Sequence, residues 1–86
     1  MVRQDDPIEA IVAEALELSG VRFTREGKGY SEPPLDFHLP QVDAYIEVCQ
    51  FWTPRKVEQL KGREDVILVQ GRAAALAFEW LLLGRV

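Results

Sequence analysis

Between residues 35 and 51 the chain alternates apolar and polar side chains twice. Leu35, Phe37 and Leu39 alternate with Asp36 and His38; after Pro40, Gln41, Val42 and Asp43, Ile46 and Val48 alternate with Tyr45, Glu47 and Cys49. A period of two is that of a strand with one face in a core, so the pattern predicts a hairpin that turns over residues 40–43, with Leu39 facing Ala44. Counting outward in antiparallel register sets Asp36 opposite Glu47, both on the face turned away from the apolar set. Directly opposed residues have Cβ atoms about 4.5–5.5 Å apart, and like charges at that spacing repel unless a cation or a proton lies between them. Paired hard oxygen ligands of this kind suit Mg²⁺ or Mn²⁺, with room left for water and a substrate phosphate.

The flanking segments predict the rest of a small α/β domain. Asp6, Pro7 and Glu9 have the spacing of a helix cap, a first helical residue and a capping-box acid, and Ile8, Ile11, Val12, Ala15 and Leu16 make one apolar stripe that Gly20 ends. Val21 and Phe23 alternate with Arg22 and Thr24 as a first strand, and the polar, Gly- and Pro-containing stretch 26–34 predicts a mobile loop. Thr53 and Pro54 open a second helix that turns Val57 and Leu60 inward and stops at Gly62. The continuous apolar run 66–69 has the character of a central strand buried on both faces. A last helix over 72–83 is apolar nearly all round, with Arg72 and Glu79 to solvate it. The expected order is helix, three strands, helix, strand, helix, a small mixed sheet flanked by helices.

At 86 residues the chain supports one core, so residues 1–86 are expected to form a single domain. A net charge of -4 argues against a protein that holds nucleic acid by bulk positive charge, so any such contact must be local. A single cysteine and the absence of a charged-then-apolar leader favour a reducing compartment, the cytoplasm. The apolar run 73–83, broken by Glu79, is far short of the roughly 20 residues that span a bilayer, so no membrane is expected. Phe78, Trp80, Leu81, Leu82 and Leu83 cannot all reach one small core, and a homodimer through the last helix is expected.

Pro34-Leu35-Asp36, followed by Glu47-Val48-Cys49 with the glutamate eleven residues after the aspartate, within this order of elements, resembles the PD-(D/E)xK nuclease superfamily over nearly the whole chain. The resemblance implies a minimal restriction-endonuclease-like, resolvase-like core and metal-dependent cleavage of DNA. It assigns Mg²⁺ or Mn²⁺ to Asp36 and Glu47, with Glu9 on the first helix assisting. Where the superfamily places a lysine two positions after the acid, this chain has Cys49, a thiol with no fixed positive charge and little affinity for a hard cation. Lys56, in the first turn of the second helix, supplies the ammonium group from the side on this reading, as migrated lysines do in some relatives, and so acts on the attacking water. Arg55 and Lys61 then contact the phosphate backbone. A phage or mobile element is the setting such a small nuclease suggests.

Plainer readings stand beside these. Asp36, Glu47 and His38 suit the polar outer face of a hairpin, Glu9 a capping box, and Cys49 a small half-buried hydrophobe. Arg55, Lys56, Lys61 and Arg63 suit a solvated helix face, and Phe51 and Trp52 a lid on the core. Two rival functions follow: a catalytically silent relative that binds nucleic acid, and a protein-interaction module that works through its C-terminal helix.

Overall fold

The computed structural model describes residues 6–25, 35–51 and 53–84. The expected loop at 26–34 and Trp52 lie outside them. Helix α1, Pro7–Ser19, starts where the Asp6 carboxylate accepts from the Ile8 amide at 2.7 Å and Pro7 takes the first turn. It stops at Gly20, whose φ of 77° few other residues tolerate and whose N–H returns to the carbonyls of Leu16 and Glu17. The stripe is as expected: Ile8, Val12, Ala15 and Leu16 are buried, while Glu14 and Glu17 face solvent.

Strand β1, Thr24–Arg25, precedes the hairpin of β2, Phe37–Leu39, and β3, Ala44–Cys49. The register is Phe37 to Ile46, His38 to Tyr45 and Leu39 to Ala44, as the alternation predicts, and Asp43 closes the turn with φ 52°, a left-handed conformation that aspartate accepts. After helix α2, Pro54–Leu60, strand β4, Val66–Gln70, runs parallel to β3, and helix α3, Gly71–Leu83, follows at once. Among the described residues the result is a mixed four-stranded sheet in the order β1-β2-β3-β4 with three helices. α1 and α3 pack on each other and on the sheet face that carries Phe37, Ile46 and Val69, which with Ile8, Val12, Leu16 and Ala75 form the core. No helix among the described residues is long and apolar enough to cross a membrane.

Three expectations change. The first strand is shorter and later than the alternation suggested: Val21 and Phe23 pack against the core outside it, Phe23 meeting Phe37 edge to face at 5.6 Å. Among the described residues β4 is an edge strand rather than a central one; Val69 alone in it is buried, and Ile67 is 42% exposed. A run of β-branched residues reports strand preference and apolar surroundings but carries no information about how many neighbours a strand acquires. α2 does not turn Val57 inward: that residue is 49% exposed, and the helix buries no side chain. With only seven residues it is too short to lay an apolar stripe on the sheet, and its attachment is polar.

Candidate active site

The core commits Phe37 and Ile46 to one face of the hairpin, and the period of two then places Tyr45, Glu47 and Cys49 on the other. Asp36 stands in the bend before β2, where continuing the register sets it opposite Glu47. Its Oδ2 accepts from the Val48 amide at 2.7 Å, so the side chain takes over the β2–β3 ladder where the backbone pairing ends. Among the described residues Glu47 is the buried charged one, 5% exposed.

Lys56 reaches this pair from α2. Thr53 caps that helix by accepting from the Lys56 amide at 3.1 Å, which fixes the lysine in the first turn, and the ammonium group donates to Glu47 Oε2. Glu47 Oε1 is buried, and among the described residues no group donates to it while both it and Asp36 are ionised. An unpartnered, buried carboxylate oxygen is costly, and such an atom calls for a proton, a water or an ion. Burial pushes the Asp36 carboxyl up to about 6, and the neighbouring Glu47 adds to the shift against the opposing pull of the Val48 amide and Lys56. Two carboxylates side by side, one with an orphaned oxygen, fit a hard divalent cation that completes its shell with water and phosphate.

The other candidate residues fall at differing distances from this centre. Glu9 is close enough for the Asp36 charge to help burial raise its carboxyl, but its Oε1 is held by Arg25 Nη2 at 3.3 Å. Among the described residues no set of three or more His, Cys, Asp or Glu is grouped to hold a metal, so the centre is a pair rather than a triad. The half-buried Cys49 thiol is pushed up by burial, and by Glu47 and Asp36, against the opposing pull of Lys56, and so stays a neutral thiol. Arg55 and Lys61 are exposed on and just after α2. Arg63 leaves the basic cluster: it donates to both Asp65 oxygens, at 3.0 and 2.8 Å, and lies over the Tyr45 ring at 5.2 Å.

One arrangement escaped sequence reasoning. His38 stacks on Tyr45 with ring centroids 4.7 Å apart, and its Nε2 meets Asp43 Oδ1 at 3.0 Å. The signal was present in the register, since His38 and Tyr45 are direct cross-strand partners on the face shared with Glu47.

Comparison with models of protein families, with curated proteins and with solved structures found no match to this chain.

Proposed function

We propose that this protein is a small Mg²⁺- or Mn²⁺-dependent nuclease that hydrolyses DNA phosphodiesters in the cytoplasm, built on a restriction-endonuclease-like, PD-(D/E)xK core. The observation that carries the reading is the convergence of three groups from three elements: the Asp36 and Glu47 carboxylates adjoin, and the Lys56 ammonium reaches the same spot from α2. The lysine missing at Cys49 is thus supplied by position 56. The order of elements, with β1 to β3 antiparallel and β4 parallel to β3, also agrees with the resemblance.

A bound divalent ion supplies Lewis-acid stabilisation of the phosphate charge and a water acidified for attack. Asp36 and Glu47 hold that ion, and Glu9 stands behind Asp36. Lys56 lies where it can orient the attacking water and offset negative charge on the phosphate. Arg55 and Lys61, exposed on and just after α2, contact the backbone of the strand. A homodimer through α3, where Trp80 and Leu81 are 52% and 82% exposed, presents two such centres to two strands.

The test is cleavage of duplex, branched and single-stranded DNA with Mn²⁺ present. Asp36→Ala and Glu47→Ala abolish activity, and Glu14→Ala, on the solvent side of α1, leaves it intact. The absence of a lysine at position 49 favours one second reading, a silent relative that keeps the fold for binding nucleic acid. Protein that binds DNA yet leaves all three substrates uncut, as wild type and as Cys49→Lys, favours that reading instead.

A further inference from the structure

Among the described residues α2 has no fully buried apolar anchor, and its Leu60 is only half-buried. It buries none of its residues, Val57 is half exposed, and it lies in broad contact with no other element. Its firm attachment is the Lys56 ammonium on Glu47 Oε2, where the lysine side chain is 25% exposed and the glutamate 7%. The same carboxylate carries the orphaned, buried Oε1 and adjoins Asp36. One buried carboxylate thus serves both as the docking point of a helix and as half of a cation site. Both occupants are cations, and close to a buried centre two of them repel strongly.

We propose that Lys56 is a resident counter-ion which a divalent cation displaces, so that loading the site and releasing α2 are one exchange. This rests on the metal-site reading and adds to it a coupling that reading does not require. In the metal-free protein the ammonium neutralises Glu47 and pins α2 over the Asp36–Glu47 face. Asp36 and Glu47 would hold the ion, which would neutralise them, and the freed lysine, on its four-carbon stem, would turn to the phosphate or the attacking water. Because α2 and the turn after it also carry Arg55 and Lys61, the same exchange frees the phosphate-contacting residues to adjust to the strand. The coupling is reciprocal: bound metal weakens the Lys56–Glu47 pair by the same free energy by which the pair weakens metal binding.

Two measurements on the full chain test this. In the first, Mn²⁺ affinity is measured by calorimetry for the wild type, Lys56→Met and Lys56→Gln. Removing the competitor tightens binding about tenfold or more in both variants, and Mn²⁺ raises their melting temperatures more than that of the wild type. In the second, hydrogen exchange is followed in the wild type on adding Mg²⁺. Amides of α2 exchange faster while those of β3 are unchanged or slower. Equal Mn²⁺ affinity in all three proteins, or Mg²⁺ binding that leaves α2 exchange unaltered, overturns the exchange and leaves the metal site standing. Absence of Mn²⁺ binding in wild type and variants alike overturns the metal reading and the exchange with it.

Discussion

The Asp36 carboxylate sits on the Val48 amide at 2.7 Å, one residue beyond the last backbone pair of β2 and β3. A residue chosen for metal chemistry alone has no need of that bond, and a residue placed only to finish a sheet has no need to adjoin Glu47. The two roles separate by substitution. Asparagine retains an acceptor for Val48, so Asp36→Asn keeps the hairpin and loses metal binding. Asp36→Ala loses both, with a stability cost of about 1–2 kcal/mol for the unpaired amide. Chemical denaturation and Mn²⁺ calorimetry on the two variants check the separation.

The pH dependence of stability follows from the same residue. Asp36 titrates near 6 in the fold, above its ordinary 3.8, so the folded state binds the proton more tightly than the unfolded chain does. Its contribution to stability is full below about pH 3.8 and is lost as pH rises through about 6. The difference in melting temperature between wild type and Asp36→Asn shifts against the wild type between pH 4 and 7, and saturating Mg²⁺ at pH 7 restores it. Parallel thermal melts with and without the ion measure this.

Breaking the Lys56–Glu47 pair from its two ends has unequal costs. Lys56→Met strands a carboxylate that is 7% exposed, whereas Glu47→Gln keeps an amide oxygen to accept from an ammonium that is 25% exposed on a flexible stem able to reach water. Lys56→Met is therefore the more damaging in the metal-free protein, by about 2–4 kcal/mol relative to wild type, and Glu47→Gln costs less than half of that. Urea unfolding in the presence of a chelator gives both values.

Positions 49 and 56 are alternative places for one positive charge, since the Cys49 thiol lies within electrostatic reach of the Lys56 ammonium. Lys56→Ala lowers cleavage about 10²- to 10³-fold, the usual cost of one well-placed donor. Adding Cys49→Lys to that variant recovers much of the loss, whereas in the wild-type background Cys49→Lys gives a smaller gain. Single-turnover rates for the four proteins close the cycle.

The outward face of α3 offers Leu76, Trp80 and Leu81 to solvent, and a second copy of the chain covers it in the proposed dimer. Light scattering gives the mass of a dimer at micromolar concentration. Leu81→Asp shifts it to a monomer with an unchanged fold, because Leu81 contributes nothing to the core.

Elements whose signals are local could be read directly from the chain. Asp6, Pro7 and Gly20 bound α1, and a period of two set the hairpin register and so brought Asp36 opposite Glu47. These follow from neighbours a few residues apart, where capping, turn closure and alternation act directly. Tertiary structure decided what depends on distant partners. The apolar run of β4 suits a central or an edge strand alike, and only the placing of β4 beside β3 with no described strand beyond it made it an edge. By charge alone the basic residues between 55 and 63 are interchangeable, and it was the resemblance that singled out Lys56 for the site. It took the packed sheet to pair Arg63 with Asp65 and Tyr45, to leave Arg55 and Lys61 in solvent, and to bring Lys56 to Glu47. Glu9 behaves likewise: the helix wheel places it at the stripe's edge, but its partner Arg25 is set by where β1 joins β2. Local order is written by short-range sterics and hydrogen bonds, whereas the partner of a long charged side chain is chosen by whichever opposite charge the finished fold buries within its reach.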